Sequence, residues 1–265
     1  MYETSYHRAE SVEEAAKKMG TAEGGKYVAG GQTLIPTMKQ RLASPDALID
    51  LRHIPDMKGI SINGKDVRIG AATTHAEVAS SADLDAVCPG IASLAGHIGD
   101  PHVRHMGTIG GSIANNDPAA DYPAAMLALG AAIHTNKREI AAGDFFAGMF
   151  ETALEEDEII TAVSFTAPEK CAYSKFPNPA SRYAMAGVFV ARTGDDVRVA
   201  VTGAGMDGVF RWEEAESALG SNFAASALEG LAVNEGEMLS DIHGSAEYRA
   251  NLVKVMAMRA IAEAG

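Results

Sequence analysis

Two glycine-bearing stretches decide how this chain is read: Ala29-Gly30-Gly31-Gln32-Thr33-Leu34 and Thr108-Ile109-Gly110-Gly111-Ser112-Ile113-Ala114-Asn115-Asn116-Asp117-Pro118. The first lies between a strand-like run, 26–29, and a helix-like one, 34–41. Paired glycines let a backbone approach a ligand closely and turn successive N–H groups toward one point. With a helix start behind them, such nests take phosphate oxygens without lysine or arginine. Thr33, Thr108 and Ser112 add hydroxyl donors, and Asp121 can accept from a ribose or ribityl hydroxyl. Gly-Gly also marks ordinary tight turns, so either stretch alone is a weak signal. Two of them, each with hydroxyl and amide neighbours, point to a diphosphate ligand.

Outward from the first stretch, Ser11 is a candidate N-cap with Glu14 at the capping-box position, ahead of an amphipathic run over 12–19. A strand over 47–51 completes a β-α-β unit by about residue 55. Beyond it, 66–70 reads as a strand after the turn Asn63-Gly64. Helices are expected over 74–80 and 91–98, few regular elements over 99–121, and an apolar segment over 123–129. Strands follow over 131–135 and 158–165. In the last hundred residues, Gly194-Asp195-Asp196 separates strand runs 188–192 and 197–202, a hairpin signal. Helical patterns cover 213–219, 224–231 and 248–264. The fold class is α+β: a two-part domain over 1–168, divided near 55, then a three-stranded antiparallel sheet with a small helical bundle over 169–265.

Composition excludes several classes. The chain has 265 residues, with 22 Lys and Arg against 35 Asp and Glu, a net charge of −13. A nucleic-acid binder needs a basic face to release counterions. The two cysteines, Cys88 and Cys171, cannot build a disulfide framework, a four-cysteine zinc site or an iron–sulfur cluster. No apolar run approaches the ~18 residues of a membrane span, and the first twenty residues carry no signal-peptide pattern. A cytoplasmic protein is expected.

Other motifs compete. Gly203-Ala204-Gly205-Met206-Asp207-Gly208 matches G-x-G-x-x-G, but its strand pairs back through a hairpin and no parallel strand completes a βαβ unit, so it reads as a strand-end turn. His97, His102 and His105, near Asp100, invite a metal site, yet they lack a helical ligand spacing and Pro101 interrupts them. A loop with satisfied or solvent-facing histidines is the plainer reading. The run Glu155-Glu156-Asp157-Glu158 reads as a solvated turn, or as a face for a basic partner. The twelve methionines read as core filler.

AGGQTLIPTMKQRLASPDALIDL (29–51) and HMGTIGGSIANNDPAADYPAAMLALGA (105–131) closely resemble the FAD-binding medium subunit of the carbon monoxide dehydrogenase and xanthine dehydrogenase family. These are molybdenum hydroxylases, and their flavin domain has the vanillyl-alcohol-oxidase type of fold. The resemblance runs along the whole chain and includes EIITAVSF (158–165), Lys175 separated by six residues from RYAMAGVFVA (182–191), and SAEYRANLVKVMAMRAI (245–261). It implies that Ala29, Gly30, Gly31, Gln32, Thr33 and Leu34 embrace the FAD diphosphate together with Thr108, Ile109, Gly110, Gly111, Ser112 and Asn115. It places Asp121 against the flavin's polyol, Ile160 near the isoalloxazine, Lys175 on the strand beside it, and Tyr183 against one flavin face. It implies FAD as the only cofactor and flavin redox chemistry, with no side chain acting as acid or base. The implied partners are a large molybdopterin-binding subunit, a small subunit with two 2Fe–2S clusters that passes electrons to this chain, and an external electron acceptor. A stand-alone FAD-dependent oxidase or reductase and a non-catalytic nucleotide-binding scaffold are the alternative readings.

Overall fold

The computed structural model describes residues 1–265. The first unit holds β1 (Ser5–Arg8), α1 (Val12–Met19), β2 (Gly25–Val28), α2 (Leu34–Lys39) and β3 (Ala47–Asp50). Its three strands are parallel, in the order β1-β3-β2. Central β3 is buried along its whole length, as a parallel strand covered on both faces must be. The expected β-α-β unit thus gains a strand, β1, whose exposed edge position leaves no apolar alternation to read. Ser11 caps α1, its hydroxyl accepting from Glu14 N at 3.1 Å, while the Glu14 carboxylate bonds Glu10 N at 2.9 Å. At the end of β3, buried Asp50 takes Arg52 Nη2 at 2.7 Å and the Tyr6 hydroxyl at 2.6 Å, which ties the edge strand to the centre.

The second unit begins with the hairpin of β4 (Ile60–Asn63) and β5 (Asp66–Gly70), turned at Gly64 with φ +62°. Six helices follow: α3 (His75–Ser80), α4 (Ala82–Val87), α5 (Pro89–Gly96), α6 (Pro101–Met106), α7 (Ile109–Asn115) and α8 (Tyr122–Leu129). Then come β6 (Ala132–Thr135), β7 (Glu139–Ala141), α9 (Ala142–Phe145), the small hairpin of β8 (Phe146–Gly148) and β9 (Glu151–Thr152), and β10 (Ile160–Thr166). The five-stranded sheet is antiparallel in the order β4-β5-β10-β6-β7. Residues 99–121, expected to hold few regular elements, contain α6 and α7. Each starts on a side-chain cap: Asp100 Oδ1 accepts Val103 N at 2.9 Å, and Thr108 Oγ1 accepts Gly111 N at 3.1 Å. α7 stops at Asn116 in the left-handed region. Helices this short show no apolar period, and glycine lowers helix propensity, so the sequence read as loop.

The acidic run is not uniformly solvated. Glu155 and Asp157 take Lys137 Nζ at 2.7 and 2.6 Å, while Glu158 is buried and held by Arg138, Thr135 and Glu155 N. Bonds from Arg138 outweigh burial and lower the Glu158 carboxyl from its ordinary value of 4.5 to about 2. A carboxyl whose folded pKa is depressed stabilises fully above its unfolded value and loses that contribution as pH falls through the folded one. Glu158→Gln is therefore expected to cost about 2 kcal/mol at pH 7, after discounting for the half-exposed Arg138. Denaturant titrations should show wild type and variant converging between pH 4.5 and 2.

The last unit is the antiparallel sheet β11 (Lys170–Pro177), β12 (Ala184–Thr193), β13 (Asp196–Thr202) and β14 (Phe210–Arg211), in that order, with α10 (Glu213–Ser221) and α11 (Ala246–Ala264). These are the three expected strands plus a two-residue edge. The hairpin turns at Gly194, φ +58°. The helix expected over 224–231 shrinks to one tight turn, Ala225–Leu228, with no side-chain cap and Gly230 two residues beyond. Strand alternation divides the sheet. Cys171, Tyr173, Phe189 and Ala191 join the core of the first two units, whereas Ala172, Val188 and Val190 join the core under α10 and α11. At the first face the Cys88 and Cys171 sulfurs lie 3.5 Å apart as buried free thiols. The 203–208 motif is a turn: β13 is antiparallel to both neighbours, and Gly203 and Gly208 take φ +82° and +99°. No helix is long and apolar enough to cross a membrane.

Candidate FAD site

The first glycine stretch leaves the end of β2 and enters α2. Along it, from Ala29 to Leu34, no backbone N–H donates to an acceptor in the chain; Gly30 is buried, where amides are almost always paired, and the others are half-buried or exposed. Gly31 supplies the left-handed turn, φ +71°. At Gly30 a side chain would overlap the Met106 carbonyl oxygen and stand 2.6 Å from Gly107 Cα, so the stretch lies directly against the chain that leads into the second one. The Thr33 hydroxyl has no protein partner.

The second stretch is built differently. Ile109 N donates to Thr73 O at 3.1 Å, Gly110 N to Ala71 O at 2.9 Å, Gly111 N to Thr108 Oγ1, and Ser112 N to Thr108 O at 3.0 Å. Unbonded N–H groups in a run are therefore a feature of the first stretch and not of the second. The second is a wall whose amides are already used. Its glycines serve closeness: a Cβ at Gly110 would stand 2.5 Å from the Ala71 Cβ, and one at Gly111 3.7 Å from the Ala29 Cβ. Ala71 N in turn bonds Thr161 O at 3.0 Å, which sets buried Ile160, on β10, one residue from this seam.

The third group of expected residues lies between the start of α8 and β11. Asp121, directly before α8, is 4% exposed and faces β11. Lys175 Nζ reaches its oxygens at 2.9 and 3.0 Å and the His97 carbonyl at 3.2 Å, and the Tyr173 hydroxyl donates to Asp121 Oδ1. Burial pushes the Asp121 carboxyl up, opposed by the Lys175 ammonium and the Tyr173 hydroxyl. Burial, reinforced by the Asp121 charge, pushes the Tyr173 hydroxyl well above its ordinary value. Tyr183, 46% exposed, stands at the start of β12, beside Ala184, whose N–H bonds Ala119 O. The segment before it folds into a tight turn, with Asn178 Oδ1 accepting Ala180 N at 2.9 Å and Asn178 N donating to Tyr183 O at 2.7 Å.

Asn115 is half-buried at the end of α7 and makes no side-chain bond. Its neighbour Asn116 does the structural work: Nδ2 donates to Gly148 O and Glu151 O, both at 2.8 Å, and pins the β8–β9 hairpin. An asparagine just past a helix, where the left-handed region favours it, was the available signal. The three histidines do not converge. His97 and His105 turn Nδ1 back onto Ser93 O and Pro101 O, and no cluster of three metal-binding side chains occurs.

Residues 2–168 match the family described as the FAD binding domain in molybdopterin dehydrogenase, and 172–264 the CO dehydrogenase flavoprotein C-terminal domain. The chain belongs to this family. It is 38% identical to the nicotine 6-hydroxylase medium subunit of Paenarthrobacter nicotinovorans, over 98% of this chain and 96% of that one. It is 37% identical to the carbon monoxide dehydrogenase medium chain of Afipia carboxidovorans, with the same coverage. The crystal structure of a Cu,Mo-CO dehydrogenase in its cyanide-inactivated form superposes with TM-score 0.89, at 37% identity over 100% of this chain and 99% of that one. This is an oxidoreductase flavoprotein subunit, and FAD is its cofactor. The donor set fits such a group: six amides and a threonine hydroxyl without protein partners could bond phosphate oxygens without a cation.

Proposed function

We propose that this chain is the electron-transfer flavoprotein of a heteromeric molybdenum hydroxylase. A large molybdopterin-binding subunit oxidises the substrate, a small 2Fe–2S subunit delivers the electrons here, and FAD passes them to an external acceptor. The observation that carries the reading is the run of unpaired amides at Ala29–Leu34, set edge to edge with the 106–112 wall. Bound FAD supplies the exchange between one-electron and two-electron carriers. The residues of this chain bind and orient it. The first stretch, with Thr33, takes the diphosphate, and Gly110, Gly111 and Ser112 form the opposite wall with Asn115 nearby. Asp121 and Lys175 face the polyol and ring from β11 and the start of α8, Ile160 backs the ring, and Tyr183 covers one face.

Two cysteines that are buried against each other leave no ligand set for an iron–sulfur cluster on this chain. The relay therefore needs a second polypeptide, and the names "medium subunit" and "medium chain" of the relatives fit such an assembly. The purified chain is expected to be yellow and to release FAD rather than FMN on denaturation, read by visible spectrum and chromatography. Turnover of a small substrate by the isolated chain would favour a stand-alone enzyme instead. A colourless chain that takes up no FAD would sink the reading.

A further inference from the structure

Tyr173 sits in the middle of β11, on an apolar face, fully buried with Phe189 at 6.3 Å between ring centroids. Its hydroxyl leaves that core at one point only, to Asp121 Oδ1. Diagonally across on β12, the register partner of Lys175 is Gly187, and a Cβ there would overlap the tyrosine hydroxyl. The β12 strand is thus cut back where the hydroxyl must pass. Two residues along β11, on the same face, Lys175 holds the other side of the same carboxylate. Asp121 has no side-chain partner besides these two, and it does not cap α8.

We propose that Tyr173 is a positioning residue of the FAD site: it fixes the rotamer of Asp121 and, through the shared carboxylate, the place of Lys175. The proposal rests on the reading that Asp121 faces the cofactor. Phe at this position would pack equally well, so the hydroxyl is there for the carboxylate. Without it, Asp121 can swing toward Lys175 and present a different oxygen to the cofactor. Two phenolic and cationic groups on β11, Tyr173 and Lys175, face the carboxyl. His97 at the end of α5, Tyr122 on α8 and Tyr183 at the start of β12 complete its titratable surroundings.

The test titrates FAD onto the full-length apoprotein and follows flavin fluorescence for four proteins: wild type, Tyr173→Phe, Asp121→Asn and the double variant. Tyr173→Phe is expected to weaken FAD binding roughly tenfold, the worth of one hydrogen bond to a charged group. In the Asp121→Asn background it should add much less, because the neutral amide accepts the hydroxyl more weakly than the carboxylate does. The single Phe variant should also bind FAD more weakly at pH 6 than at pH 8, as Asp121 takes a proton more readily without its donor, while wild type stays flat. Gly187→Ala, which crowds the hydroxyl off its partner, should reproduce the loss. Additive effects in the double variant, or wild-type affinity with a flat profile in Tyr173→Phe, would overturn the proposal. Unchanged affinity in Asp121→Asn alone would instead remove Asp121 from the site, and the proposal with it.

Discussion

Gly30→Ala is expected to give a folded chain that no longer retains FAD. A methyl at this position meets backbone on two sides, the Met106 carbonyl oxygen and Gly107 Cα, and backbone does not yield as a flexible side chain would. Overpacking of this kind costs about 1–3 kcal/mol, which a domain with roughly 5–15 kcal/mol of stability survives. The strain is relieved by separating the 29–34 run from the 106–107 segment. Hydrogen bonds from amides to phosphate are useful over a window of only about 0.5 Å. Losing two such bonds at about 1.5 kcal/mol each weakens binding on the order of 100-fold. Gly31→Ala adds a different fault, a side chain at φ +71° with its Cβ 2.9 Å from Ile35 Cγ1, and should also lose FAD. Gly111→Ala should be the mildest of the three, because its Cβ meets the Thr108 hydroxyl at 3.0 Å and only then Ala29 at 3.7 Å. Gly96→Ala, with nothing within 4 Å, is the control. Flavin absorbance per protein after gel filtration reads all four, and full flavin in Gly30→Ala would contradict the seam.

The glycine stretches were legible because they break the rules of ordinary secondary structure in a pattern a diphosphate needs. What they did not disclose is the asymmetry between them. Gly110 and Gly111 are consecutive glycines in sequence, just as Gly30 and Gly31 are, yet one pair lies inside a helix with its amides bonded and the other in an open turn. Only the tertiary partners, Ala71 and Thr73, distinguish them. Strand periodicity found β10, β12 and β13, and it failed at β1, an exposed edge of four residues. Tyr173 was hidden for a related reason: in the buried run Cys171-Ala172-Tyr173-Ser174 an aromatic reads as core. The clue was its place two residues before Lys175, hence on the same face, diagonal to Gly187. Glu158 was taken with its acidic neighbours because a charge run gives no sign of which member turns inward.

Lys175→Met should be the most destabilising single substitution at the site. The Lys175 and Asp121 side chains are 4% and 5% exposed, so the ion pair is sealed from water. Removing one partner of such a pair strands the other, at a cost of about 3–5 kcal/mol. The loss should grow with pH, as at Glu158, but over a higher window and because a carboxyl with a raised rather than a lowered pKa is left charged. Burial already pushes the Asp121 carboxyl up, and Lys175 is the strongest force opposing it. A carboxyl whose folded pKa lies above its unfolded value, about 3.9, holds its proton more tightly in the folded chain. Its native state is therefore most favoured below that value and loses ground as pH rises toward the folded pKa. In Lys175→Met that window reaches further upward, so the variant should lose more stability at pH 8 than at pH 5. Asp121→Asn combined with Lys175→Met should recover most of the loss, since a neutral amide can still accept from Tyr173 and needs no counterion. Urea unfolding at the two pH values separates the cases. A pH-independent loss, or a double variant no more stable than Lys175→Met, would mean that Lys175 stabilises the fold through its packing and the His97 carbonyl rather than through the Asp121 charge.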